Sequence, residues 1–250
     1  MRYISVSSSE SNTSSAKRNV AIPAAGDGER FKAAGYEVPK PFIPINGKCM
    51  IEHVIDNVAR PQDNVILICR SEHALHIPES IMARPNVLFK FLPHRTEGTA
   101  CTLLSVRQWI DNDDELIIAN ADQYVDYDRN EFEQNCASFE AVIQTFQADH
   151  PKWSYARVNE GGIKVVEVAE KRVISEHATT GVYYFRRGSD FCLGADVMIG
   201  KDIRVNGEFY TCPVFNELVD TRIVGISPCR HMYGFGLPAD LEANRHVLEF

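Results

Sequence analysis

No C-x-x-C pair occurs among the seven cysteines, which stand at 49, 69, 101, 136, 192, 212 and 229. An odd number without paired spacing argues against a disulfide scaffold or a structural zinc site, and for buried free thiols in a reducing compartment. No apolar run reaches the ~18 residues of a membrane span. The first residues also lack the hydrophobic core of a signal peptide, so a cytoplasmic location is expected. Positive charge is short as well: 26 Lys and Arg face 34 Asp and Glu, a formal net charge of −8. That balance argues against general nucleic-acid binding, while leaving room for a few cations around a small anionic substrate. Neither an internal repeat nor a clear linker is present.

Apolar residues make up 44% of the 250, enough for one substantial core. Residues 1–17 are rich in Ser and Thr and read as a flexible tail, with Tyr3–Val6 a candidate edge strand. Residues 18–250 read as a single domain. "NVAIPAAG" opens it as a core strand. "MIEHVIDNVA" (50–59) has helical spacing, with Ile51, Val54, Ile55 and Val58 on one face. Apolar runs at 64–70 and 115–120 read as buried strands, 86–92 as another strand, and 97–110 as one helix with Thr96 as its N-cap. The rhythm predicts an α/β fold, Rossmann-like, with a mixed, mainly parallel sheet flanked by helices. The second half predicts an antiparallel elaboration: strands at 139–146, 154–158, 162–170 and 179–186, with Glu160-Gly161-Gly162 as a hairpin turn. Helices are expected at 189–199, 210–219 and 239–249, and short β segments at 222–227 and near 231–235.

In an open α/β sheet, ligands bind beyond the carboxyl ends of the strands. The stretch "AIPAAGDGERFKAAGYEVPKPF" (21–42) is the first such place. Gly26 and Gly28 let the backbone turn and present N–H groups to an anion. Arg30 adds a forked cation suited to phosphate, and Lys40 is stiffened between Pro39 and Pro41. A dinucleotide G-x-G-x-x-G fails because Phe31 takes the third glycine's place. A P-loop fails because Phe42 and Cys49 replace the first glycine and the hydroxyl residue around Gly47-Lys48.

"AAGDGERF…PKPF" resembles the signature of the nucleotidyltransferase superfamily of sugar-nucleotide pyrophosphorylases and cytidylyltransferases, whose fold is of the GT-A type. The resemblance runs through roughly 18–245. "NAD" (120–122) matches the family's acidic residue after a core strand, and "EKRVISEHATTGVYYF" (170–185) resembles its E-K-P…T-G-x-Y-x-F block. "GEFYTCPVFNEL" (207–218) and "GFGLPADLEA" (234–243) resemble two later blocks. Gly234 and Phe235 stand where such enzymes often place an Asp, and Leu237 replaces a Thr.

The resemblance implies transfer of an NMP group from an NTP, with CTP favoured, to a phosphorylated sugar or small metabolite, with pyrophosphate released. Surface-polysaccharide or capsule assembly is the implied setting. Ala24, Ala25, Gly26, Asp27 and Gly28 would hold the nucleotide, Arg30 the leaving pyrophosphate, and Lys40 the α-phosphate. Gly98, at a helix N-terminus, would admit base or ribose. Asp122 would hold Mg²⁺. Glu170, Lys171, Thr180, Gly181, Glu208 and Tyr210 would meet the acceptor, with Lys171 on its phosphate. No second metal carboxylate is evident; Glu208 is one candidate, and the nucleotide itself an alternative holder.

Two other readings stand beside this one. A GT-A glycosyltransferase would use the D-x-D pair Asp126 and Asp128 for metal, although their distance past the core strand favours a solvated loop. A non-catalytic protein that has kept the fold is the other. His73 and His76 form H-x-x-H without further ligands nearby, and His94, His177 and His231 are undecided. Oligomerisation is left open.

Overall fold

A computed structural model describes residues 17–248. The expected tail, residue 17 apart, and the Tyr3–Val6 strand lie outside the described residues. The elements in chain order begin with β1 (Arg18–Ala24), α1 (Glu29–Ala33), a 3-10 turn (Lys40–Phe42), β2 (Pro44–Ile45), β3 (Lys48–Cys49) and α2 (Met50–Val58). There follow β4 (Asn64–Arg70), a 3-10 segment (Ser71–His76), α3 (Glu79–Met82), β5 (Val87–Leu92), α4 (Thr99–Leu104) and α5 (Arg107–Ile110). The middle of the chain forms β6 (Glu115–Ala119), β7 (Gln123–Asp126), α6 (Arg129–Ser138), β8 (Ala141–Gln147), β9 (Tyr155–Val158), β10 (Val165–Ala169) and β11 (His177–Phe185). Last come α7 (Gly188–Gly200), a 3-10 segment (Cys212–Glu217), β12 (Val224–Pro228), β13 (His231–Gly234), α8 (Pro238–Asn244) and a 3-10 turn (Arg245–Leu248).

Among the described residues nine strands form the main sheet, with β6, β1, β4 and β5 side by side and parallel. Beyond β6 the pairing turns antiparallel through β11, β9 and β10, while β8 joins β11 and carries β12 parallel to itself. This is the mainly parallel sheet with an antiparallel second half that the sequence pattern predicts. Burial on both faces explains the continuous apolar runs of β4 and β6, whereas β5 is an edge strand that leaves Leu88 and Phe91 exposed. Val20 and Ile22 of β1, Val65 and Leu67 of β4 and Ile117 of β6 pack on one face, against Ile51, Val54, Ile55 and Val58 of α2. Their alternates, Ala21, Ile66, Ile68, Leu116 and Ile118, pack on the other, against α4, α7 and the Cys212–Glu217 segment. A third, smaller cluster joins Phe31, Ile43, Met50, Phe235 and Leu241 beneath the loop that follows β1.

Several boundaries differ from expectation for identifiable reasons. The helix expected over 97–110 breaks at Ser105–Val106, where the Ser105 hydroxyl donates to Thr102 O at 2.6 Å. Thr96 is not its cap: Gly98 holds that position, and Thr96 Oγ1 instead donates to Gly98 O at 2.9 Å. The 210–219 helix is a 3-10 segment, tied to β10 because Asn216 bonds both Val168 N (2.8 Å) and Val168 O (2.9 Å). The polar helix α6 escaped the pattern because it buries only Phe132 and Cys136; Asp128 caps it by accepting from Asn130 N at 2.8 Å and Glu131 N.

At the end of the sheet opposite the strand carboxyl termini, Arg18 is buried and bonded to Glu115 at 2.8 Å and Glu133 at 2.6 Å. Its guanidinium also lies 5.5 Å from the Tyr184 ring centroid. Removing one member of a buried ion-pair network strands the others. Arg18→Met is therefore expected to lower unfolding stability by about 3 kcal/mol. Urea denaturation checks this, and a change under 1 kcal/mol would refute the network's importance.

Candidate active site

The ladder between β1 and β6 ends at Ala21 and Ile118, although β1 continues beside β4 as far as Ala24. Pro23 has no N–H to extend the ladder on the β6 side. The two strands therefore part at their carboxyl ends and open a crevice. Two connected lobes fill it, of about 450 Å³ and about 800 Å³. Gly26, Gly28, Arg30 and Lys40 line both.

Each expected site residue borders this crevice. Ala25, Asp27, Gly98 and Glu208 line the smaller lobe. Ala24, Asp122, Glu170, Lys171, Thr180, Gly181 and Tyr210 line the larger. Glu208 is thus separated from the acceptor group in which it was expected. It pairs with Arg95, whose other arm reaches Asp27 at 3.5 Å, and Asp27 is also paired with Arg70.

Lys40 is presented by its 3-10 turn, and its ammonium lies 2.6 Å from Asp122 Oδ2, across the mouth of the crevice. Arg30 is exposed, and its side chain has no ion-pair or hydrogen-bond partner among the described residues. Lys171 sits at φ +53°, a strained backbone for a residue with a side chain. Its ammonium donates to Tyr210 Oη at 2.5 Å. Burial pushes the Glu170 carboxyl above its ordinary range, against the hydrogen bond from Ser154 and the Lys171 charge.

The glycines have different reasons. At Gly98 (φ +139°) a Cβ would lie 2.4 Å from Phe209 O, so close approach there is by the chain's own backbone. At Gly181 (φ +86°) a Cβ would lie 2.1 Å from Asn120 Nδ2. The residue forms an irregularity in the β8–β11 register, and its carbonyl accepts from Asn120 N at 3.1 Å. At Gly26 a Cβ would meet nothing within 4 Å. The fold does not require glycine at 26; the open crevice in front of it is the remaining reason.

Asp122 is one-quarter exposed, and among the described residues no cluster of three His, Cys, Asp or Glu side chains is arranged to hold a metal. A single oxygen-donor carboxylate is a ligand that suits a hard cation, so Asp122 would hold Mg²⁺ together with substrate phosphate oxygens and water. Gly234 lies opposite Gln123 in the β7–β13 pairing and faces Trp153, while Phe235 is wholly buried core. Neither D-x-D carboxylate lines the two lobes. Asp126, expected in a solvated loop, is in β7 and paired with Arg230 at 2.5 Å, and Asp128 is the α6 cap. His94, His177 and His231 also lie outside both lobes. The sequence reading missed Arg95, Trp153 and Gln123, which line them. Adjacency to Gly98 and Asp122 was the available signal for Arg95 and Gln123.

The Nucleotidyl transferase family model matches residues 20–193, well over half of the chain, and the chain belongs to that family. Among curated relatives, the bifunctional protein GlmU of Methanocaldococcus jannaschii is 26% identical over 233 residues, 91% of this chain and 54% of that protein. The bifunctional protein GlmU of Thermotoga sp. is 26% identical over 211 residues, covering 81% and 45% respectively. The chain spans about half the length of these relatives. Among solved structures, the nucleoside-diphosphate-sugar pyrophosphorylase from Vibrio cholerae RC9 superposes with a TM-score of 0.76 at 23% identity, covering 90% of this chain and 98% of that one. The inositol-1-phosphate CTP transferase from T. maritima gives 0.70 at 15%, covering 94% and 95%. Both share the fold. No helix among the described residues is long and apolar enough to cross a membrane.

Gly26 and Gly181 make opposite predictions. Gly26→Ala is expected to keep the melting temperature unchanged or slightly raised, yet to weaken nucleoside triphosphate binding at least tenfold. Gly181→Ala is expected to lower the melting temperature by several degrees, because its Cβ collides with Asn120. Thermal melts with and without triphosphate distinguish the two.

Proposed function

We propose that the protein transfers a nucleoside monophosphate from an NTP to a phosphorylated small molecule, releasing pyrophosphate. The observation that carries this reading is the Lys40–Asp122 pair, 2.6 Å long, set between two lobes that share Arg30 and the Gly26–Gly28 loop. The smaller lobe takes the nucleotide and the larger the acceptor. A sugar or polyol phosphate is the favoured acceptor class and CTP the first nucleotide to try. The likeness to nucleotide-sugar and inositol-phosphate enzymes supports this choice.

The chemistry is an in-line displacement at the α-phosphorus. An acceptor phosphate oxygen forms the new P–O bond while the bond to the β-phosphate oxygen breaks, and pyrophosphate carries away the electron pair. Positioning and charge neutralisation are the protein's tasks. Lys171 holds the acceptor phosphate. In the free protein Lys40 is neutralised by Asp122; incoming phosphate oxygens compete for its ammonium and draw it to the α-phosphate. Arg30, exposed and unpaired among the described residues, is free to take charge developing on the leaving group. A Mg²⁺ held by Asp122 would offset charge on the phosphate oxygens.

Lys40→Ala and Asp122→Ala are each expected to lower kcat at least about 100-fold, with little change in fold. EDTA is expected to abolish turnover. Pyrophosphate release, assayed with CTP, UTP, dTTP, ATP and GTP against phosphorylated acceptors, checks both statements. Near-normal turnover by Lys40→Ala would overturn the assignment.

A further inference from the structure

Strand β5 closes one end of the main sheet and, among the described residues, pairs with β4 alone. Val65 N donates to Asn86 O at 2.8 Å, so in this parallel ladder the even-numbered residues of β5 turn their backbone groups toward β4. The N–H and C=O groups of Phe89 and Phe91 therefore point outward, along an open edge. Natural sheets blunt such an edge with bulges, proline or charge. At the other end of the strand order β10 is blunted in this way: its register shifts between Val165 and Glu167, and Glu167 is paired with Arg157 and Arg172. In contrast, β5 keeps an unbroken register, contains no proline, carries one charge at Lys90, and leaves Leu88 and Phe91 exposed. The crossover from β4 adds Leu75 and Met82, exposed at 94% and 56%. Ser71 Oγ donates to Leu92 O at 3.2 Å, which holds the 3-10 segment bearing Leu75 at the carboxyl end of β5. Val87 N donates to Arg84 O at 3.2 Å, which holds the end of α3, with Met82, at the amino end. At about 200 Å² for a large side chain laid fully open, these four apolar residues offer roughly 450 Å² per copy. The strand edge between them brings that toward the about 800 Å² per partner of a standard interface.

We propose that this edge is the docking surface for a second copy of the chain, with β5 pairing antiparallel with its counterpart across a two-fold axis perpendicular to the sheet. Such pairing is self-complementary. Residues directly opposite each other then lie on the same face, so the axis passes through a single residue position. Val87, Phe89 and Phe91 share the α2 face, while Leu88, Lys90 and Leu92 share the other. Axes at Phe89 and at Lys90 overlap the strands equally well, and charge decides between them. An axis at Lys90 sets two lysines directly against each other, which is destabilising. An axis at Phe89 sets Lys90 opposite Leu88 of the second copy. Phe89 then meets its counterpart and extends the stack it makes with Phe91, whose ring centroid is 6.0 Å away. Because Phe89 bonds outward, the two copies exchange both backbone hydrogen bonds at that position. The Met82 end of one copy comes beside the Leu75 end of the other. The two crevices open at opposite ends of the joined sheet, and neither is covered.

Leu88 supplies the test, because it is exposed in the single chain and faces Lys90 only across the axis. Leu88→Glu gives the dimer two opposite-charge pairs and Leu88→Lys two like-charge pairs, while both remove the same apolar side chain. Sedimentation velocity across the micromolar range is expected to show a monomer–dimer equilibrium for wild type. Leu88→Glu is expected to associate at least about tenfold more tightly than Leu88→Lys, with the gap narrowing in high salt. Hydrogen exchange on wild type gives a readout that needs no variant: the Phe89 and Phe91 amides are expected to slow as concentration rises. A wild-type monomer at every concentration, which leaves the edge to residues 1–16 or to another protein, overturns the proposal. So do variants that associate alike, assemblies that grow past the dimer, or Phe89 and Phe91 amides indifferent to concentration.

Discussion

The parting of β1 from β6 beyond Ala21 is the constraint on which the rest of the structure depends. As long as the two strands are paired, their side chains alternate between two apolar layers. Where the ladder stops, the same two strands deliver Ala24–Gly28 on one side and Asn120–Asp122 on the other. Pro23 makes this compatible with a central strand: it lies where no donor is needed toward β6. The crevice follows from the end of hydrogen bonding, and the rigid sheet behind it holds both walls in place.

Charge is arranged against the average of the molecule. The chain carries a net −8, yet Arg30, Lys40, Arg95, Lys152 and Lys171 line the crevice. Lys40 is matched by Asp122, and Arg95 by Asp27 and Glu208. These pairs spare the free protein an uncompensated cluster of cations, and each can be exchanged for a phosphate oxygen when an anionic substrate arrives. Lys171 is handled differently, resting 4.4 Å over the Tyr210 ring in a strained backbone conformation. Strain of that kind persists where the surrounding structure over-determines it, as the flanking β10 strand and Glu170–Ser154 bond do here.

The parallel half of the sheet was legible because its strands are apolar on both faces, and α2 because four apolar residues recur at helical spacing. The crevice loop was legible because glycine, arginine and a proline-bracketed lysine stand together in 21–42. Helix α6 was not, since two buried residues in ten leave almost no periodic signal. The place of Glu208 was not either, because it depends on Phe209 docking against Gly98, a contact between segments 111 residues apart. Gly98 itself was recognised as a point of close approach, but the partner is the Phe209 backbone. Arg95 and Gln123 stand beside recognised positions, but their place in the crevice depends on which side chains they face, and composition carries no trace of that.

The central claim is that phosphate bonds are exchanged in this crevice, with pyrophosphate as the leaving group. Its most direct test is isotope exchange: protein, a divalent cation, a nucleoside triphosphate, a phosphorylated polyol and labelled pyrophosphate are incubated together. The account predicts that label enters the triphosphate, and that it does so only when both the acceptor and the cation are present. Absence of exchange with every nucleotide, alongside transfer or hydrolysis of a nucleotide-sugar donor, would contradict it.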